Sequence, residues 1–343
     1  MMVDGRWDKN NVINRMISEV SLPKMVRIRQ RFPSQSVSDL AAEVHVQLSQ
    51  EKISSSVKPG MRIAITAGSR GLDRYPELMR SIVHEIRQMG GEPFLIPAMG
   101  SHGGGTAEGQ TLMLKNLRIT EESVGAPIYS SMEVVQIGVN CDGLPVFIDR
   151  YAAQADGIVV VNRVKPHTNF RGVYESGLMK MMTIGLGKQV GAATCHSLSM
   201  DDMTHNIFAF GSTILENANI LFGVATVENA QDRTQKIVAL TPEEIPTEEP
   251  KLQELAKQSM PRIRFSEFDV LIVDQIGKNF SGPGMDPNIT GISGNPNIKL
   301  KPEVQRRVVL DLSDETHGNG IGIGLADFST KRAFDKLDMD AIY

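Results

Sequence analysis

Strand-like and helix-like patterns alternate along the chain from residue 61 onward. The segment MRIAITAGS (61–69) is largely apolar and ends in a glycine turn, which predicts a buried strand. In RYPELMRSIVHEIRQMGG (74–91), apolar residues recur at helical spacing up to a glycine pair, which predicts an amphipathic helix. The run EPFLIPAMGSHGGG (92–105) repeats the strand and glycine loop, and TAEGQTLMLKNL (106–117) is the next helix candidate. This alternation favours an α/β fold with a mainly parallel sheet.

Further strand candidates extend the pattern towards the C-terminus. They lie within DGIVVVNRVK (156–165), NILFGVATVEN (219–229), FDVLIVDQIGKNFSGPGMDPNITG (268–291) and RRVVLDLSDETHGNGIGIGLADF (306–328). An acidic, proline-containing segment (241–258) precedes the last two, and we interpret it as a solvated linker. We therefore expect two α/β domains with mainly parallel sheets, residues 1–245 and 262–343. The smaller C-terminal domain is expected to be incomplete in this chain or closed by a partner.

Composition narrows the class of protein. The 343 residues are 41% hydrophobic and 22% charged, with a formal net charge of -4, so nothing favours a nucleic-acid-binding surface. Two cysteines, Cys141 and Cys195, exclude a disulfide framework and favour a reducing compartment. The first residues lack the apolar core of a secretory signal, and no apolar run approaches the ~18 residues of a membrane span. We expect a cytoplasmic protein without membrane or nucleic-acid partners.

Candidate chemistry is concentrated in loops that follow predicted strands. Two of these loops are AGSRG (67–71) and GSHGGG (100–105), and the third follows VNRVKPH. In parallel sheets, ligands bind at the carboxyl ends of strands, so we expect Arg70, His102 and His167 to converge. The glycines of GSHGGG match neither phosphate-loop nor dinucleotide spacing. Two imidazoles on opposite sides of a substrate would suit a reaction that needs a base on either face.

The stretch KPHTNFRGVYESGLMKMMTIGLGKQVGAATCH (165–196) adds a lysine and a third histidine. Lys180 has methionine neighbours; most such lysines lay an aliphatic stem over apolar surface, although burial can also make the amine a nucleophile. His196 follows Cys195, but no zinc-ligand spacing is visible. A metal that brings other ligands with it would need only one imidazole. From the residues alone, both interpretations of each side chain stay open.

The order of these motifs resembles the nickel-dependent lactate racemase family. AGSR, GSHGGG and VKPH are followed by a lysine and then a histidine, over roughly residues 60 to 230. The family's arginine, two histidines, lysine and metal-binding histidine have the same order and similar spacing. In this chain they correspond to Arg70, His102, His167, Lys180 and His196.

The resemblance implies a cofactor and a role for each residue. The cofactor is a nickel-pincer nucleotide, a pyridinium mononucleotide that holds nickel through two sulfurs and one carbon. By resemblance, Lys180 would bind it covalently and His196 would be the fourth nickel ligand. His102 and His167 would be the paired acid/base residues, one for each face of the substrate. The site would lie in the cleft between the two domains.

The implied activity is racemisation or epimerisation of a small 2-hydroxy acid by reversible hydride transfer to the cofactor. Arg70 would hold the substrate carboxylate, because a guanidinium matches its geometry. The remaining candidates are Lys278 and Asn279 for substrate; Gly68, Ser69, Gly103 and Gly104 for cofactor; and Lys165 and Lys188 for phosphate or substrate. Whether the protein forms a homo-oligomer is left open.

Two departures leave the substrate open. Ala67 stands where the family has an acidic residue, and the pair of Gln and Lys that the family has near the substrate is not found as a pair in GKNFSGPGMDPNITG (277–291). One alternative function is a non-catalytic protein that binds a nucleotide or an organic acid. Another is a zinc-dependent hydrolase that uses His102, His167 and His196.

Overall fold

The computed structural model describes residues 2–3, 6–7, 12–21, 23–197 and 202–342. The chain divides into two compact units, Met1–Phe32 and Pro33–Tyr343. The described residues of the first unit form a short antiparallel pair, β1 and β2, and the helix α1. All elements discussed below belong to the second unit.

The strands have the following bounds: β1 Met2–Val3, β2 Arg6–Trp7, β3 Arg62–Ala67, β4 Glu92–Pro97, β5 Val134–Val139, β6 Pro145–Asp149, β7 Gly157–Arg163, β8 Ile220–Glu228, β9 Thr234–Leu240, β10 Glu267–Ile276, β11 Glu303–Leu312 and β12 Phe328–Ser329. The α-helices have these bounds: α1 Val12–Ser18, α2 Leu40–Leu48, α3 Glu51–Ser54, α4 Tyr75–Gln88, α5 Ala107–Asn116, α6 Glu121–Val124, α7 Arg150–Ala153, α8 Leu178–Lys180, α9 Lys188–His196, α10 Met203–Asn217, α11 Ile245–Ser259, α12 Pro287–Thr290, α13 Lys331–Asp335 and α14 Met339–Ile342.

The main sheet has the strand order β4-β3-β7-β8-β9. Its first four strands are parallel, and β9 pairs antiparallel with β8, so the predicted α/β fold with a mainly parallel sheet is confirmed. From β3 the chain passes to β4 on one side and later to β7 on the other. The carboxyl ends of β3 and β7 therefore border a topological switch point, where such sheets bind ligands.

Both faces of the main sheet are covered, as the apolar pattern predicts. Five of the six residues of β3 are buried. Ile63 and Ile65 join the core beneath α2 and α4, whereas Ala64 joins the core that contains Met179 and Phe210 on the other face. This alternation follows from the two-residue period of a strand.

The interpretation of residues 241–258 as a solvated linker is wrong, because most of this segment forms α11. One face of this helix is buried and includes Glu249, Leu252 and Gln253, which the acidic composition of the segment does not indicate. Pro250 is tolerated inside the helix because its missing N–H leaves the carbonyl of Pro246 free. That carbonyl instead accepts a hydrogen bond of 2.8 Å from the Tyr174 hydroxyl.

The second sheet is parallel throughout, with the order β10-β11-β12. Its small core is formed by Ile276, Met285, Val309 and Leu312. The unit Pro33–Tyr343 contains both sheets, so the division at residues 245–262 stays a prediction. Within the described residues, no helix has the length and apolar character needed to span a bilayer.

Candidate active site

The loops after β3, β4 and β7 bring the predicted groups together. Arg70 follows β3, His102 follows β4, and His167 lies four residues beyond the last residue of β7. The positive charges of Arg70, Lys180 and Lys278 all act on His102. Lys180 and His196 both act on His167. Electrostatic coupling therefore connects residues from four separate parts of the chain in one region.

His102 has an oriented imidazole ring. The Ser69 hydroxyl oxygen lies 2.5 Å from its Nδ1 atom, a hydrogen bond whose direction depends on the tautomer. Partial burial lowers the pKa of His102, and the charges of Arg70, Lys180 and Lys278 lower it further. The ring is therefore neutral at neutral pH, and its Nε2 atom can face a ligand. The contact gives Ser69 an orienting role, which we did not expect for a cofactor-binding residue.

A buried polar network supports the His102 loop from below. The Gln110 side-chain amide donates to the carbonyl of Gly100 at 2.9 Å and to that of His102 at 3.2 Å. The amide oxygen of Gln110 accepts from Lys188 Nζ at 3.3 Å. Lys188 is fully buried and lies 3.0 Å from Asp149. The prediction that Lys188 contacts phosphate or substrate is therefore wrong; the side chain is part of the core.

We predict that Lys188→Met destabilises the protein by about 3–5 kcal/mol, because it leaves the Asp149 carboxylate buried without its cation. A shift of the urea midpoint to lower concentration would measure the loss. The variant Lys188→Met/Asp149→Asn should recover much of the stability. It removes the stranded charge and keeps the oxygen that accepts the N–H groups of Tyr151 and Ala152. Equal midpoints for wild type and Lys188→Met would contradict the prediction.

His167 is held in a tight polar loop. Its backbone N–H donates to the buried Glu175 carboxylate at 2.8 Å, and its ring stacks on Phe170 with 4.1 Å between centroids. The Nδ1 atom accepts the Asn169 N–H at 3.1 Å, so the neutral ring carries its proton on Nε2. Burial lowers the pKa of His167 to about 2, assisted by the charges of Lys180 and Arg171.

Lys180 ends the short helix α8, and a π-helical turn, Met181–Leu186, follows it. Its Nζ lies 5.4 Å from the centroid of the Phe170 ring. Burial lowers the pKa of Lys180 to about 8, and the nearby Arg70 acts in the same direction. The unprotonated fraction of this amine near neutral pH is therefore larger than that of an exposed lysine, which makes Lys180 a better nucleophile. This favours the reactive interpretation of Lys180 over the structural one.

Glu249 of α11 fixes the start of the Lys180 helix, a role that sequence reasoning missed. Its carboxylate accepts the Met179 N–H at 3.0 Å. Burial raises the pKa of Glu249 to about 7. A Cβ on Gly177 would lie 2.6 Å from this carboxylate, so glycine is needed there for the close approach.

His196 is the last residue of α9, and its imidazole is exposed. Although part of the side chain reaches solvent, desolvation by the surrounding protein lowers the pKa of His196, and the charge of Lys180 lowers it further. A neutral imidazole has a lone pair for a metal. The adjacent Cys195 is fully buried, and burial raises the pKa of its thiol to about 11, so Cys195 belongs to the core.

The two residues predicted to bind substrate in the second half of the chain, Lys278 and Asn279, have different surroundings. Lys278 lies close enough to Arg70 that the guanidinium lowers the pKa of the lysine, after the larger effect of burial. Asn279 instead accepts the Ser313 hydroxyl at 2.7 Å and lines a cavity of about 350 Å³. That cavity is bordered by Lys165 and by Arg163, which pairs with Glu228. Of Lys278 and Asn279, Lys278 is therefore the one whose side chain acts on His102.

The glycine candidates differ in what surrounds them. The Gly68 N–H already donates to the Tyr75 hydroxyl at 2.8 Å. At Gly103 an added Cβ would lie 2.6 Å from the backbone of Gly109, so packing against α5 explains this glycine. At Gly104, with φ +67°, a Cβ would meet nothing within 4 Å. Gly104 is therefore the glycine whose backbone faces open space, where a ligand can approach.

Metal-donor groups gather at a different place from the three site histidines. Among the described residues, one set of three His, Cys, Asp or Glu side chains has donor atoms within 4.8 Å of one another: Cys141, Asp142 and His205. His102, His167 and His196 do not form such a set. The zinc-hydrolase alternative thus lacks the close ligand triad that zinc requires.

The fold and these groups define an α/β protein with a cation-rich, two-histidine site at the switch point of a parallel sheet. The model of the lactate racemase N-terminal domain matches residues 14–207, more than half of the chain. The chain therefore belongs to the lactate racemase family, as the sequence predicts. The structure of the lactate racemase apoprotein from Thermoanaerobacterium thermosaccharolyticum is similar, with a TM-score of 0.52 and 13% identity over 80% of this chain and 68% of that one. At this identity the likeness shows the fold alone. A comparison with curated proteins found no match to this chain.

Proposed function

We propose that this protein is a racemase or epimerase of a 2-hydroxy acid that uses a nickel-pincer nucleotide bound covalently to Lys180. The observation that carries the proposal is the combination of two neutral imidazoles and a lysine amine of lowered pKa in one cation-rich region. Paired histidines provide acid/base groups, and the positive charges favour an anionic substrate and a phosphate. Membership of the lactate racemase family supports the same proposal.

The residues present fit the cofactor. Lys180 has the lowered amine pKa needed to form a covalent bond, and His196 offers a neutral imidazole. A single imidazole suffices because the nucleotide provides the other nickel ligands. When bound, this nucleotide supplies an acceptor for the hydride of a 2-hydroxy acid. Gly104, with open space in front of its backbone, is the best-placed glycine for the phosphate.

The chain's own residues would bind and orient the substrate. Arg70 and Lys278 present two positive charges close to His102, which suits a carboxylate placed between them. With Nδ1 of His102 donating to Ser69, the Nε2 lone pair is free to accept the hydroxyl proton. His102 would thus act as the base for one enantiomer.

His167 must change one hydrogen bond to serve as the base for the other enantiomer. While Nδ1 accepts the Asn169 N–H, Nε2 carries the proton and can only donate. Acting as a base requires the lone pair on Nε2 and the proton on Nδ1, so the Asn169 contact has to open. The proposal therefore includes a small movement of the 167–169 loop when substrate binds.

The direct test is racemisation by the loaded protein. The chain should be produced together with the cofactor's biosynthetic enzymes and offered a panel of single-enantiomer 2-hydroxy acids in D₂O. We expect racemisation of at least one acid without deuterium at Cα, because hydride leaves and returns. Racemisation with deuterium incorporation would instead indicate proton abstraction. Cofactor-loaded protein without turnover on any panel member would favour the non-catalytic binding alternative.

For the metal, we predict that His196→Ala loses nickel while the nucleotide stays attached to Lys180. The remaining donors belong to the nucleotide, so the metal loses its only protein ligand. Nickel per chain can be measured by elemental analysis after a chelator wash, and the attached mass by intact-protein mass spectrometry. His84→Ala, on the exposed face of α4, is the matched control and should keep its nickel. Unchanged nickel in His196→Ala would reject this ligand.

A further inference from the structure

A separate group of metal-binding side chains lies where the β5–β6 hairpin meets the first turn of α10. Cys141 and Asp142 are adjacent in the hairpin turn, and His205 is the third residue of α10. One donor atom from each residue lies within 4.8 Å of the other two. The Nε2 atom of His205 is 3.0 Å from one Asp142 carboxylate oxygen and 3.2 Å from the other.

These separations are close to those of a tetrahedral metal site. Zinc bonds of roughly 2.0–2.3 Å place neighbouring ligand atoms about 3.3–3.7 Å apart. The His205–Asp142 pair already lies near this spacing, and closing the remaining gap to Cys141 needs a shift on the order of 1 Å. All three side chains are exposed, so an ion can reach them from solvent.

We propose that Cys141, Asp142 and His205 bind a divalent transition-metal ion of the Zn²⁺ type, with water as the fourth ligand. The donor set decides the class of ion. A thiolate and an imidazole favour zinc and its neighbours, whereas calcium and magnesium take oxygen ligands. Binding would release the thiol proton of Cys141, and the ion would take the place of the direct His205–Asp142 hydrogen bond.

The turn that carries two of the ligands is fixed in advance. The Asn140 side-chain oxygen accepts the N–H of Asp142 at 3.0 Å and that of Leu144 at 2.9 Å. Gly143 has φ +78°, a conformation that favours glycine. Asn140 itself is buried, so the turn is anchored in the protein. Less conformational freedom is lost when the ion binds, which favours affinity.

The proposed role of the ion is to hold the hairpin against α10. The two already touch further along, where a Cβ on Gly138 would lie 3.3 Å from the Thr213 side chain. An ion bound by Cys141, Asp142 and His205 would join the hairpin turn to the first turn of α10. Since His205 lies in the first turn of α10, the ion would also fix the start of this helix.

The test is a Co²⁺ titration of the reduced, full-length chain produced without the cofactor's biosynthetic enzymes. We expect one cobalt per chain, a thiolate-to-cobalt charge-transfer band, the d–d bands of tetrahedral cobalt, and displacement by Zn²⁺. Cys141→Ser should lose the charge-transfer band. His205→Gln should bind at least ~10-fold more weakly, because losing even a supporting group around a metal costs 10–100-fold. Zn²⁺ should raise the melting temperature of the wild type but of neither variant.

Cys195→Ser is the matched control, because Cys195 is the chain's other thiol and stands beside His196. It should keep the charge-transfer band and the zinc-dependent rise in melting temperature. The proposal is overturned if the wild type shows no thiolate band or if Cys141→Ser retains it. It is equally overturned if Cys195→Ser loses the band, since the metal would then bind at Cys195 and His196. Circular dichroism should be used to check that each variant is folded. Because Cys141 and His205 are exposed, their substitution should leave the core intact, so that loss of metal is not a consequence of unfolding.

Discussion

Lys180→Ala should carry no covalently bound nucleotide and should have no racemase activity, even when it is produced with the cofactor's biosynthetic enzymes. Lys180 is the lysine whose amine lies beside Phe170 and near Arg70, with a pKa lowered to about 8 chiefly by burial. A methyl group cannot form the bond. Intact-protein mass spectrometry should show a mass excess on the wild type and none on the variant.

Lys165→Ala is the control for this experiment. Lys165 is a half-buried lysine whose positive charge acts on His167, but its amine lies 3.6 Å from the Asp286 carboxylate. The Asp286 carboxylate therefore already engages the Lys165 amine. We expect Lys165→Ala to retain the mass excess. A mass excess on Lys180→Ala, or its loss from Lys165→Ala alone, would move the attachment site to another lysine.

Covalent attachment also changes the electrostatics of the site. An amide-type bond removes the positive charge of Lys180, which is one of the charges that lower the pKa of His102 and of His167. Loss of this charge should therefore raise both pKa values, while burial stays the main cause of the lowered pKa at each histidine. If Lys180 carries the cofactor as proposed, its attachment would therefore also change the acid/base behaviour of both histidines.

The parallel sheet and the convergence of three loops could be predicted from local sequence. The buried pattern of β3, the amphipathic α4 and the rule that ligands bind at strand ends were enough to place Arg70, His102 and His167 in one region. Each of these signals lies within a window of a few residues, where strand or helix periodicity is visible. The motifs that identify the family are also short segments, and their order can be followed directly along residues 60 to 230.

The supports of the site could not be predicted, because they join distant parts of the chain. Glu249 reaches Met179 from α11, and Lys188 reaches both Asp149 and Gln110. In the sequence, Glu249 is one acid among many in a segment that we interpreted as solvated, and Lys188 is a candidate for binding phosphate or substrate. Periodicity does not show which charged side chain will be buried, since that depends on a partner elsewhere in the chain.

His102→Ala and His167→Ala should each abolish racemisation while leaving the cofactor attached. The two rings are held by different contacts, His102 by Ser69 and His167 by Asn169 and Phe170, so loss of one ring leaves the other in position. General acid/base groups contribute about 10²–10⁴-fold, and racemisation needs both, so a loss of at least ~10²-fold is expected in each variant.

The pattern of loss in the two histidine variants distinguishes a catalytic role from a structural one. If each ring serves one face, each variant should fail in both directions of racemisation, because every turnover uses one histidine as base and the other as acid. Intact-protein mass spectrometry should show unchanged attachment at Lys180, which excludes a failure of loading. His84→Ala, exposed on α4, should keep normal activity. Near-normal turnover in His102→Ala or in His167→Ala would reject that residue as an acid/base group.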